Sequence, residues 1–129
     1  MKKTVLLIED NEQNQYLATF LLESRGFKVE TASDGPLGIT MAARGNFDLI
    51  LLDIQLPTMD GYAVASALRQ NPSTRGIPIV AVTSYAMTGD REKAIAAGCD
   101  GYLEKPINPD TFVSEVERFL HESEHGETS

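Results

Sequence analysis

Short runs of aliphatic and β-branched residues alternate with segments whose apolar positions recur every three or four residues, and the alternation repeats five times. Thr4-Val5-Leu6-Leu7-Ile8 predicts a first strand. Lys28-Val29-Glu30-Thr31-Ala32 alternates polar and apolar residues, the pattern of an edge strand, whereas Phe47 to Leu52 is almost wholly apolar, as a strand covered on both faces should be. Pro78 opens a fourth strand, Ile79-Val80-Ala81-Val82, and Gly101-Tyr102-Leu103 is a short fifth.

Between them lie five predicted helices. The first spans Gln13 to Arg25, with Tyr16, Leu17, Phe20 and Leu21 at helical spacing and Gly26 to end it. The turn residues Ser33-Asp34-Gly35-Pro36 lead into a second through Leu37, Ile39 and Met41 to Arg44, stopped by Gly45. The loop Gln55-Leu56-Pro57-Thr58-Met59-Asp60-Gly61 precedes an alanine-rich third helix with Val64 and Leu68; Asp60 and Gly61 need do no more than cap it. A fourth, Ala86 to Ala97, ends at Gly98 and has only Met87 and Ile95 as large apolar residues, so it should be the most loosely held. For the fifth, Asn108 is the expected N-cap and Pro109 the first helical residue, with a stripe of Phe112, Val113, Val116, Phe119 and Leu120. His121 to Ser129 is polar and expected to fray. One domain over residues 1–122 with a short polar tail at 123–129 is the expected organisation.

Strict alternation of strand and helix implies an α/β doubly wound five-stranded parallel sheet, with helices on both faces and right-handed crossovers. The order most often seen for such a sheet is 2-1-3-4-5. The carboxyl ends of its strands meet at a crevice between the first and third strands. Four polar residues follow four of the predicted strands: Asp10 (paired with Glu9), Asp53, Thr83 and Lys105. Each alone is an ordinary loop residue; together they form a constellation.

Three carboxylates in one crevice repel one another, each pair by about 4 kcal/mol at ~4 Å and an effective dielectric of ~20. A proton or a cation must relieve this. Hard oxygen ligands favour Mg²⁺, held by Asp10 and Asp53 with a backbone carbonyl near Gln55, and by Glu9 through water. A carboxylate beside a metal is also a nucleophile towards a phosphoryl group, and Asp53, ending the most apolar strand, is the best placed. Lys105 would offset the phosphoryl charge and the Thr83 hydroxyl could donate to one of its oxygens.

Composition narrows the partners. The formal net charge of −8 repels phosphate backbones, and no basic cluster breaks the trend, so direct nucleic-acid binding is disfavoured. No apolar run approaches the ~20 residues of a membrane helix. The single cysteine, Cys99, excludes an internal disulfide and suits a cytoplasmic location; beside Gly98 it reads as a small core residue. His121 and His125 read as solvated residues. A P-loop is absent. An aspartate-based phosphohydrolase would need a second acid two residues after its nucleophile, where this chain has Gln55, which argues against efficient turnover.

These residues resemble the receiver domain of bacterial-type response regulators, the phosphoacceptor half of two-component signalling, of flavodoxin-like (receiver) fold. The resemblance covers residues 3 to 121 and rests on Glu9-Asp10, the segment Asp53 to Gly61, Thr83 and Lys105-Pro106, whose peptide is usually cis in the family. It implies that Asp53 accepts a phosphoryl group from a phosphohistidine on a sensor histidine kinase or histidine phosphotransfer protein. It also implies Mg²⁺ on Asp10, Asp53 and the Gln55 carbonyl, and a switch made of Thr83 and Tyr102, the latter moving from exposed to buried. The resemblance also places Gln55 and Tyr85 at positions where this family tunes the lifetime of its phosphoaspartate. The expected protein is a single-domain regulator, not an enzyme but a switch that assists its own phosphorylation and dephosphorylation. It would signal to a downstream protein target as a monomer or a weak phosphorylation-dependent dimer. The expected readout face is the fourth helix, fifth strand and fifth helix; the expected phosphodonor face is the first helix, through Asn14, Gln15 and Leu17. A receiver cut from a hybrid kinase or longer regulator, and an aspartate-based phosphatase, are the competing readings.

Overall fold

The computed structural model describes residues 2–84 and 89–126, with side chains as far as His121. Five strands alternate with five helices: β1 (Thr4–Ile8), α1 (Glu12–Ser24), β2 (Lys28–Ala32), α2 (Gly35–Arg44), β3 (Leu49–Asp53), α3 (Gly61–Gln70), β4 (Ile79–Thr83), α4 (Asp90–Ala97), β5 (Gly101–Glu104) and α5 (Phe112–Gly126). All neighbouring strands pair in parallel, in the order β2-β1-β3-β4-β5. This is the doubly wound sheet that the alternation predicts.

Burial follows position in the sheet. Every residue of the central strands β3 and β4 is buried, while β2, at an edge, buries only Ala32 fully. The two-residue period of a strand sends neighbours to opposite faces. Leu6, Ile8, Ile50 and Leu52 pack with Ala42, Val64, Leu68 and Ala94 on one side. Val5, Leu7, Leu49 and Leu51 pack with Leu22, Val113, Val116 and Leu120 on the other. Each fully buried leucine of β3 contributes about 1.5–3 kcal/mol relative to exposure.

Three helices are capped by the side chains of the residues before them: Asn11 accepts from Asn14 N–H, Asp34 from Leu37 N–H, and Asp60 from Ala63 N–H. The face of α1 differs from the sequence expectation. Ala18 and Leu22 are its buried residues, with Leu17 and Leu21 half-buried. Tyr16 and Phe20 point outwards, 74% and 59% exposed, and stack on each other with ring centroids 6.4 Å apart. Spacing alone cannot tell which of two adjacent apolar rows faces the sheet. The start of α5 also shifts, from Pro109 to Phe112. The Asn108 side chain accepts from Asp110 N–H, and its carbonyl accepts from both Thr111 and Phe112, so residues 109–111 form a tight turn before the helix. The backbone stays helical to Gly126, beyond the His121 at which fraying was expected. Met87 and Tyr85 lie outside the described residues. Within α4 Ala94 is the only buried residue and Ile95 is exposed.

The end of the sheet away from the crevice is tied by one side chain. Arg69 on α3 donates to the carbonyls of Gly98 (2.8 Å), Arg75 (2.8 Å) and Ile77 (2.7 Å), and to Asp100 at 2.6 Å. Asp100 in turn accepts from Ile79 N–H, the first amide of β4. Gly98 has φ of 111°, and a Cβ there would lie 2.5 Å from Arg69 Cγ, so this helix end requires glycine on both counts.

Candidate functional site

The crevice is built where β1 and β3 end side by side. Glu9 follows β1, and its N–H donates to the Ala32 carbonyl of β2, which continues the ladder one residue past the strand. Asp53 is the last residue of β3, and its neighbour Ile54 donates its N–H to Val82. Both carboxylates are only 3% exposed, whereas Asp10 stands at the open rim. One oxygen from each of Glu9, Asp10 and Asp53 lies within 4.8 Å of the others. Thr83 ends β4 and is buried. The N–H of Lys105 donates to the Thr83 carbonyl, which brings the lysine over the ends of the strands. The Lys105–Pro106 peptide is cis.

Lys105 reaches two acids at once. Its Nζ lies 2.8 Å from Glu9 Oε1 and 3.1 Å from Asp53 Oδ2. The second oxygen of Glu9 is buried without a hydrogen-bond partner among the described residues. Burial, followed by the hydrogen bond shared with Asp53, raises the Glu9 carboxyl from 4.5 to about 7, against the downward pull of Lys105. For Lys105, burial pulls the ammonium down, but its hydrogen bonds to Glu9 and Asp53 outweigh burial and hold it above its ordinary value. The shared ammonium and the raised proton affinity of Glu9 both ease the crowding of like charges. An oxygen-only donor set with one orphaned buried oxygen also fits a hard divalent cation.

Of the residues predicted from sequence, Glu9, Asp10, Asp53 and Lys105 meet directly. Gln55 and Thr83 join them through a contact the sequence did not suggest. The Gln55 side chain donates to Thr83 Oγ1 at 2.7 Å, and its backbone N–H donates to Asp53 Oδ1 at 2.9 Å. Gln15 was also missed in this role; its side-chain amide donates to the Glu9 carbonyl and fixes the β1–α1 turn. Position one turn into α1 was its only available signal. Tyr102 is half-buried on β5, against the core cluster beneath α3 and α4. Tyr85 lies outside the described residues.

Residues 5–117 match the family model of the response regulator receiver domain. The chain belongs to the response regulator receiver family. The receiver is 38% identical over 120 residues to the polar-differentiation response regulator DivK of Brucella ovis, covering 93% of this chain and 98% of the relative. Among solved structures it is similar to the receiver domain of sensor histidine kinase PA1611 from Pseudomonas aeruginosa PAO1. That likeness has 35% identity and a TM-score of 0.85, covering 94% of this chain and 99% of the other. The PA1611 domain was determined with a magnesium ion coordinated in its active-site cleft. The receiver is also similar (27% identity, TM-score 0.86, coverage 94% and 90%) to a chain in a Saccharomyces cerevisiae co-crystal structure. That crystal pairs the histidine phosphotransfer protein Ypd1 with the receiver domain of its downstream response regulator Ssk1. The receiver is therefore a signalling switch, a phosphorylation-activated response regulator. Among its described residues no helix is long and apolar enough to cross a membrane.

Proposed function

We propose that Asp53 is the phosphoacceptor, taking a phosphoryl group from a phosphohistidine on a sensor histidine kinase or histidine phosphotransfer protein. A carboxylate oxygen of Asp53 attacks phosphorus, the P–N bond breaks, and the imidazole leaves with the bonding electrons and takes a proton. The observation that carries this reading is the Lys105 ammonium 3.1 Å from Asp53, in the crevice where Glu9 and Asp10 also meet. As the phosphoryl arrives, Lys105 pairs with one of its oxygens and the Thr83 hydroxyl donates to another. These groups let the receiver assist its own phosphorylation and dephosphorylation.

Asp10, Asp53 and the Gln55 carbonyl would hold Mg²⁺, with Glu9 engaging it through water; such an ion would supply positive charge to offset that of the transferring group. The phosphodonor docks along α1 by Asn14, Gln15 and Leu17. The switch is read at α4, β5 and α5, where Tyr102 lies, by a downstream protein, with the receiver acting as a monomer or a weak phosphorylation-dependent dimer. A cytoplasmic location fits the lone buried Cys99.

Incubation with acetyl phosphate and Mg²⁺, followed by intact mass, tests the chemistry. One added phosphoryl per chain is expected on the natural sequence and none on Asp53→Asn. Label retained in that variant, or found on a histidine, would overturn the assignment.

A further inference from the structure

Gln55 stands two residues beyond Asp53 and reaches across to the next strand. Its backbone N–H donates to Asp53 Oδ1 at 2.9 Å, its Nε2 donates to Thr83 Oγ1 at 2.7 Å, and its Oε1 accepts from Ser84 N–H at 3.2 Å. A backbone N–H can only donate, so the carboxamide oxygen must face Ser84 and the NH₂ must face Thr83. Thr83 is 2% exposed, so water is poorly placed to replace the bond it would lose. One residue therefore touches the acceptor, the hydroxyl and the first amide beyond β4.

We infer that Gln55 is a positioning residue that holds Thr83 and the start of the β4–α4 segment in the resting arrangement. The inference rests on the reading of Asp53 as acceptor and Thr83 as its hydroxyl partner. To serve a phosphoryl oxygen, Thr83 has to turn its hydroxyl towards Asp53, and in doing so it leaves the Gln55 carboxamide. A contact made only in the resting state weakens the affinity for anything that selects the other state. Gln55 thus sets the threshold for capture. This acts before the phosphoaspartate exists, which separates it from any influence on how long that group survives.

The test is the affinity of the receiver for beryllium fluoride, a phosphoryl mimic, measured by isothermal titration with Mg²⁺ in excess. Gln55→Met has nearly the length of glutamine, lacks donor and acceptor, and keeps the backbone carbonyl. Gln55→Asn keeps the amide chemistry but is too short to span the gap. Both are expected to bind about fivefold more tightly or better, the scale of one lost hydrogen bond. The Ser84 amide resonance of the unliganded variants should move towards its position in the beryllofluoride complex. In a Thr83→Val background, Gln55→Met should change the affinity by less than about twofold, because the partner it acts through is gone.

Unchanged or weaker binding by both variants would overturn the inference. So would an equal effect in the two backgrounds, or a change confined to phosphoaspartate lifetime. If the natural sequence fails to bind beryllium fluoride, or Asp53→Asn binds it equally well, the acceptor reading falls and takes this inference with it. Tight binding by the natural sequence with silent Gln55 variants removes this inference alone.

Discussion

The ammonium of Lys105 lies 3.1 Å from the carboxylate of Asp53, a residue 52 positions earlier in the chain, and Lys105 is the cation that reaches into the crevice among the described residues. It also bonds Glu9, so its removal leaves two buried acids facing each other. Lys105→Met takes away their shared hydrogen-bond donor and should lose about 1–3 kcal/mol of stability at pH 8 in the presence of a chelator. The loss should shrink at pH 5, where Glu9 can take up a proton. Chemical denaturation at the two pH values checks both, and phosphorylation by acetyl phosphate should slow at least ~10-fold, the scale of one lost transition-state contact.

The burial of Glu9 implies a pH dependence for the chelator-treated protein. Its carboxyl is raised in the folded state to about 7 from 4.5, so between those values the folded protein binds the extra proton. Stability therefore falls as pH rises through this window, and ionised Glu9 is destabilising above it. Relative to Glu9→Gln, the natural sequence should gain about 2–3 kcal/mol on going from pH 8 to pH 5. Thermal or urea unfolding of both proteins at the two pH values measures the difference, and parallel pH profiles would contradict it.

Gly61 sets how closely α3 approaches the acceptor. A Cβ at this position would lie 2.5 Å from Ile54 Cα and 2.6 Å from the Asp53 carbonyl oxygen, both backbone atoms. Neither can swing aside as a side-chain tip would. Gly61→Ala should cost about 1–3 kcal/mol and slow phosphorylation by displacing the backbone that carries Asp53. Urea unfolding and intact-mass time courses read the two effects separately.

The outward face of α1 predicts a contrast. Leu22 is fully buried, and Leu22→Ala should cost about 2–5 kcal/mol. Tyr16→Ala removes one half of a solvent-facing stacked pair and should cost no more than about 1 kcal/mol. Equal losses in urea unfolding would place Tyr16 in the core after all.

The sheet was legible because each strand carries its own signature: the apolar run of β3 is buried throughout, and the alternating β2 lies at the edge. The carboxyl ends of β1, β3 and β5 lie on one edge of a parallel sheet, so the meeting of Glu9, Asp10, Asp53 and Lys105 follows from topology. The outward turn of Tyr16 and Phe20 was not legible, because it depends on how α1 is rolled against the sheet and two adjacent apolar rows satisfy the same spacing. Nor was the shared hold of Lys105 on Glu9 and Asp53, or the reach of Gln55 to Thr83. These depend on side-chain rotamers and on distances of an ångström or less, which residue order does not encode.

The four hydrogen bonds of Arg69 have a mechanical consequence. They anchor the Gly98 end of α4, together with the approaches to β4 and β5, while the Gly89 end of that helix has no side-chain cap. One guanidinium thus fixes the carboxyl end of a helix and the entrances of two strands as a single unit, so losing it would loosen three elements together.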